Sequence, residues 1–252
     1  MMTIKRHFAI YLLTHALVLT TLIVSLFLSW RITNQFDYFY PFLYEQISIE
    51  NHINRFAPKN SKGHQHFEHT TNEERLALFS EIVYAINHDG EGLRQLTYSP
   101  PNHPSHKLLT EPEASHLEDV AKLFDTIFQL GLIVLAIWIL LLVLGRLWKT
   151  FHLTFRKIIY ASLLQALVIG LFLAIATPYQ VFYQLHKLIF PPNSKWFYYY
   201  HESLMATLMK APDLFGYIAA TISLISLPIG LFLAMFLIIV CKKRTTTPPQ
   251  IS

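Results

Sequence analysis

Charge is scarce in this chain. Asp, Glu, Lys and Arg together make up 14% of 252 residues, where a soluble domain carries about a quarter. That scarcity argues against a soluble globular domain, and it is unevenly spread. It falls in four apolar stretches, each long enough to supply the roughly 20 helical residues that cross a hydrocarbon core of about 30 Å. Cysteine is nearly absent too. The single Cys241 excludes an intramolecular disulfide; at the end of the last apolar stretch it reads as a packing residue, with palmitoylation as the alternative. None of the four stretches alternates apolar and polar residues, which excludes a transmembrane β-barrel. The net charge of +4 does not point to nucleic acid, because the basic residues cluster at the borders of the apolar stretches.

What is present is 53% hydrophobic residues, organised as an all-α integral membrane protein of four spans. The first span is expected at Phe8–Trp30, the second at Leu123–Trp148, the third at Ile158–Thr177 and the fourth at Leu214–Cys241. Only Asp125 and Arg146, near the ends of the second, interrupt them with charge. The first reads as a retained anchor rather than a cleaved signal peptide. Its apolar core is longer than a signal peptide's, and Leu28-Ser29-Trp30-Arg31 is a poor small-residue cleavage site. Inside the spans, His15 and Gln165 read as helix–helix hydrogen-bonding residues. Pro228 reads as a kink whose freed carbonyl is satisfied by neighbouring helices.

Lys and Arg are retained on the cytoplasmic side of short loops. Lys5 and Arg6 precede the first span; Arg146, Lys149, Arg156 and Lys157 crowd the link between the second and third; Lys242, Lys243 and Arg244 follow the fourth. Four spans put all three clusters on one side, so both termini are expected inside. Residues 31–122 and 178–213 then face outward, as one membrane domain with two outer segments, and ten of the 13 histidines lie there.

The first outer segment carries helical signals. Phe36, Phe39, Leu43, Ile47 and Ile53 fit a helical stripe interrupted at Pro41, and Leu76, Phe79, Val83 and Ile86 follow a second. Thr71 with Glu74 makes a capping box, and Asp89-Gly90 a stop. Tyr98 to Lys107 reads as a turn-rich connection. Between the helices, His64, His66 and His69 sit in a polar loop with Glu68, where a solvated loop and a metal-chelating one are the two readings. Thr110-Glu-Pro-Glu113 is another capping box, with proline in the first turn, so a helix should start there and continue into the second span. It places Glu113, His116 and Asp119 at successive turns of one face. The second outer segment is an aromatic interfacial loop through Trp196 and Tyr200 that also carries His186, and Leu204 to Leu208 suggests a short amphipathic helix lying on the surface. Two outward histidines at matching depth are suited to general acid/base work, because imidazole titrates near neutral pH.

Three blocks resemble a known family. They are Leu78 to Ile86, His116-Leu-Glu-Asp-Val120, and the run from Phe182 through His186, Phe190, Asn193 and Trp196 to Pro212. Their order and spacing are similar to those of the bacterial lipoprotein intramolecular transacylases. The chain departs from the family in having Glu202, preceded by His201, where an Asp is usual after the tryptophan, and in a histidine-rich stretch from 50 to 70. The resemblance implies an acyltransferase of the bacterial cytoplasmic membrane, active on the extracytoplasmic face, with no nucleotide, metal or other cofactor. Its substrate would be a diacylated lipoprotein, whose free N-terminal amine attacks the ester at the second glycerol position to give the lyso-form, with membrane lipid as surroundings. His116 is the expected general base and His186 its partner, with the reverse assignment and a histidine nucleophile left open. Asp119 would orient a histidine, and a tyrosine, Asn193 or the Trp196 indole would face the oxyanion, with Glu202 in support.

Two other readings compete. A related lipid acyltransferase or lipase would use the same histidines with another acceptor, although no Gly-x-Ser-x-Gly elbow is present. A non-enzymatic membrane sensor, assembly subunit or metal-binding outer-face protein would lean on His64, His66 and His69.

Overall fold

A computed structural model of the chain describes residues 2–175, 178–190 and 194–242. Its helices are α1 (Met2–Asn34), α2 (Tyr40–Gln46), α3 (Ile49–Phe56), α4 (Asn72–Ile86), α5 (Glu111–Leu147), α6 (Phe155–Ile175), α7 (Pro178–Ile189), α8 (Leu204–Leu208) and α9 (Asp213–Val240). The strand content among the described residues is one antiparallel pair, Thr97–Tyr98 with His106–Lys107, at the two ends of the segment read as a turn-rich connection. Among the described residues, four helices, α1, α5, α6 and α9, are long and apolar enough to cross a membrane. The protein is therefore an all-α, multi-pass membrane protein. It divides into two compact units: residues 1–29, 130–178 and 224–252 form one, and residues 30–129 and 179–223 the other.

The first unit holds the most apolar parts of the four long helices. In hydrocarbon no water satisfies backbone N–H and C=O groups, so helices that bond internally are the stable form. Side-chain hydroxyls follow the same rule: Thr14 donates to the Ile10 carbonyl at 2.9 Å and Thr21 to that of Leu17 at 2.6 Å. Interhelical bonds then fix the packing. The Trp138 indole N–H donates to Thr21 Oγ1 at 2.8 Å, and Gln165 donates to the His15 backbone carbonyl at 3.0 Å, the helix–helix bond its position suggests. Gly131 lets α5 close on Phe27, whose ring occupies the space where a Cβ would stand. Outward-facing side chains such as Leu167 and Leu224 are 58% and 68% exposed. Such a surface is unfavourable in water at about 25 cal/mol per Å² and neutral in lipid.

The second unit has its own core, built from α2, α3, α4, the strand pair, the first turns of α5, α8 and the start of α9. Tyr40 stacks on Phe79 with centroids 3.7 Å apart and donates its hydroxyl to the Leu208 carbonyl at 2.6 Å. Arg75, 2% exposed, is satisfied by neutral acceptors: Thr70 Oγ1 at 2.9 Å, the Glu68 carbonyl at 2.7 Å and the Tyr44 hydroxyl at 3.1 Å. The Glu74 N–H donates to Thr71 Oγ1 at 3.2 Å, so the cap read from the sequence forms. The helix stops as expected at Asp89 and Gly90, whose φ values are +53° and +80°, with the Gly90 N–H on the Ala85 carbonyl at 2.8 Å.

Two expectations are corrected. Pro41 does not interrupt the early helix. It lies in the first turn of α2, where its missing N–H has no partner to lose; the breaks fall at Asp37–Phe39 and Ser48, all at positive φ. The Leu204–Leu208 helix does not lie on a surface, because all five of its residues are buried. Its polar groups are satisfied from within: Ser203 caps the Ala206 N–H at 2.9 Å, and Thr207 donates to the Tyr200 carbonyl at 2.9 Å.

Candidate active site

The site starts from the cap of α5. The Thr110 N–H donates to Glu113 Oε2 at 2.6 Å, which fixes the first turn of the helix. Glu113 is 1% exposed, and its other oxygen accepts a short hydrogen bond from the Ser203 hydroxyl. On the opposite side, Arg94 holds Glu118 with two bonds of 2.7 and 2.9 Å and also pairs with Glu111. The helix is clamped on two sides just where it presents His116.

His116 lies in the charged start of α5, which carries Glu111, Glu113, Glu118, Asp119 and Lys122 ahead of the apolar spanning part. Its ring packs on Phe190 at 4.9 Å and beside Tyr198 at 6.3 Å. Its Nδ1 is buried with no hydrogen-bond partner among the described residues. Burial, helped by the neighbouring His186, pushes its pKa down to about 4, and Asp119 opposes the shift. His116 is therefore neutral at physiological pH, in the form that accepts a proton.

His186 comes from α7 and packs against the same phenyl ring, 5.3 Å from Phe190, and lies 4.9 Å from Trp196. Trp196 is in turn held edge-on by Tyr183 at 5.5 Å. The two histidines, 70 positions apart in the chain, thus share one aromatic wall. Asp119 acts on His116 through its charge; its carboxylate accepts from Lys122 Nζ at 3.2 Å and, at 3.4 Å, from Ser194 Oγ. Glu202 accepts from Lys195 Nζ at 3.3 Å. Asn193 lies outside the described residues.

Two residues that border the candidate site, Phe190 and Ser203, were not among the candidates, whereas Glu113 is the residue read from the sequence on one helix face with His116 and Asp119. Glu113 was visible as a capping residue, but its second partner, Ser203, lies 90 positions away and carries no sequence signal. Tyr198 also borders His116; burial and the Glu113 charge raise its phenol pKa, so it stays a hydrogen-bond donor, at present to the Lys195 carbonyl at 2.8 Å.

The histidine-rich loop divides. His64 Nδ1–H donates to the Lys107 carbonyl at 2.7 Å, while His66, Glu68 and His69 bring one ligand-type atom each to within 4.8 Å of one another. A cavity of about 450 Å³ lies elsewhere in the same unit, lined by Trp30, Arg31, Tyr84, Phe124 and Asp125 among others. Neither histidine of the pair lines it.

The sequence matches the family described as lipoprotein intramolecular transacylase Lit over residues 15–211. No curated protein matches it. Among solved structures it is similar to the in meso structure of the membrane integral lipoprotein intramolecular transacylase Lit from Bacillus cereus, in a variant with a histidine-to-arginine mutation. The TM-score is 0.56 and the identity 13%, over 96% of each chain. At that identity the likeness speaks for the fold.

Proposed function

Because this chain belongs to the lipoprotein intramolecular transacylase family and is an enzyme of that class, we propose that its reaction moves the acyl chain from the second glycerol position of a diacylglyceryl-modified lipoprotein to that lipoprotein's own N-terminal amine. The observation that carries the residue assignment is the meeting of His116 and His186 on Phe190.

The amine has a pKa of roughly 7.7–8.0, so much of it is protonated at neutral pH and its free-base fraction attacks. The new N–C bond forms as the ester carbonyl becomes tetrahedral, and neutral His116 takes the proton that the attacking nitrogen sheds. The C–O bond then breaks, and the proton passes to the departing glycerol alkoxide. The products are an amide and a free hydroxyl on the same molecule. A low imidazole pKa suits the second half: a weakly basic ring is, once protonated, a strong acid for the alkoxide. Asp119 stabilises the transient imidazolium, and His186, which also packs on Phe190, exchanges the proton or polarises the carbonyl. Oxyanion donors are drawn from the Trp196 indole, the Tyr198 hydroxyl and Asn193. Amine and ester on one molecule make proximity a large share of the acceleration.

Basic clusters at three chain positions on one side of four spans support a bacterial cytoplasmic membrane location with both termini inside and the histidine pair outside. The reaction is tested with purified enzyme in lipid and a synthetic diacylglyceryl lipopeptide labelled only in the second-position acyl chain. Label on the N-terminal amine is the expected result. Label retained on glycerol, or released as free fatty acid, would refute the proposal.

A further inference from the structure

The histidine-rich loop between α3 and α4 is not used by the reaction above, and it is not a simple solvated turn. His66, Glu68 and His69 each direct one donor atom into a common space, all within 4.8 Å of one another. The Glu68 Oε1 to His69 Nε2 separation is 3.6 Å. Two ligands on one tetrahedral zinc, with bonds of about 2.1 Å, stand about 3.4 Å apart. The pair is thus already spaced as neighbouring ligands, and His66 needs a small side-chain movement to join them. The other carboxylate oxygen, Glu68 Oε2, is buried with no hydrogen-bond partner among the described residues.

The backbone under these side chains is held from several directions. Arg75 donates to the Glu68 carbonyl at 2.7 Å and to Thr70 Oγ1 at 2.9 Å. Phe67, between the ligands in sequence, is fully buried against Tyr98 at 5.1 Å, and the Tyr98 hydroxyl donates to the Gln65 carbonyl at 2.9 Å. His103 stacks on His66 with centroids 3.8 Å apart and covers one side of the cluster. An ion bound here meets donors whose backbone is already ordered, which lowers the entropic cost of binding.

We propose that His66, Glu68 and His69 form a binding site for a divalent transition-metal ion of the zinc class. Two imidazoles and one carboxylate are the donor set that suits such an ion, and a hard cation such as calcium would require more oxygen ligands than the cluster offers. With three protein ligands, the fourth position is left to water or to a group from a partner molecule. The site is separate from the histidine pair and does not depend on the proposed reaction.

The experiment is zinc titration of the untagged full-length protein in detergent, by calorimetry with metal content measured after dialysis. Wild type should retain one zinc per chain. The double variant His66→Ala/His69→Ala should lose it, and Glu68→Gln should weaken binding at least tenfold. His64→Ala, whose imidazole is engaged with the Lys107 carbonyl, should leave the stoichiometry unchanged. Matching thermal melts in chelator establish that the variants fold. Wild type that retains no zinc, or a double variant that retains as much as wild type, would overturn the proposal. Equal losses in His64→Ala and the double variant would overturn the ligand assignment by pointing to diffuse surface binding.

Discussion

The Ser203 hydroxyl donates to the Glu113 carboxylate, so the turn of α5 that precedes His116 is tied to the start of α8 across 90 positions of chain. Both residues are almost fully buried. Replacing Ser203 by Ala leaves a buried carboxylate oxygen unpaired and removes the cap of α8 as well. The expected loss is about 1–3 kcal/mol, the desolvation penalty of such a group, read as a lower melting temperature in detergent. An unchanged melt would mean the pair contributes nothing.

Stability should fall on acidification through a defined window. His52 and His116 both have pKa values pushed from 6.5 to about 4, in each case mainly by burial. Lys210 adds to the shift at His52, and His186 adds to it at His116. The unfolded chain therefore takes up these protons first. Their contribution is nil above about pH 6.5, grows as pH falls toward 4, and is constant below that, at about 1–3 kcal/mol for each group. A melting series across pH 7 to 4 checks this. His52→Phe, which keeps a ring against Tyr200 and Phe56, should flatten part of the fall; an identical slope in that variant would contradict the assignment.

Gly90→Ala should destabilise the second unit. Gly90 has φ +80°, and a Cβ there would stand 3.0 Å from Glu118 Cγ, displacing the carboxylate that Arg94 holds at 2.7 and 2.9 Å. The left-handed backbone alone costs a side chain about 1 kcal/mol. Gly92→Ala is the comparison: its φ is +88°, but nothing lies within 4 Å of the added carbon. Chemical denaturation should show the larger loss at Gly90. Equal losses would mean that the contact with Glu118 is accommodated.

Much of this arrangement could be read from residue patterns because its causes are local. Thr71 and Glu74 cap a helix by sequence spacing, Asp89-Gly90 ends it, and Thr110 with Glu113 begins the next. The four spans announce themselves by length and lack of charge. What stayed hidden depends on partners distant in the chain. The burial of Leu204–Leu208 rests on Tyr40 and Glu113, and neither marks the segment in sequence. The break at Asp37–Phe39 rather than Pro41 rests on three consecutive left-handed residues, none of them glycine. Phe190 was visible as part of a motif, but its place as the wall shared by both histidines is a tertiary fact.

The central claim is that His116 and His186 carry the proton transfers of acyl migration. The most direct measurement is mass spectrometry of a reporter lipoprotein from cells producing wild type, His116→Ala or His186→Ala, with membrane levels of each protein checked by immunoblot. General acid/base catalysis by one group is worth about 10²–10⁴ in rate. The account predicts that either substitution leaves the reporter diacylated, with lyso-form reduced at least about a hundredfold at equal protein abundance. Wild-type amounts of lyso-form in both variants would contradict it.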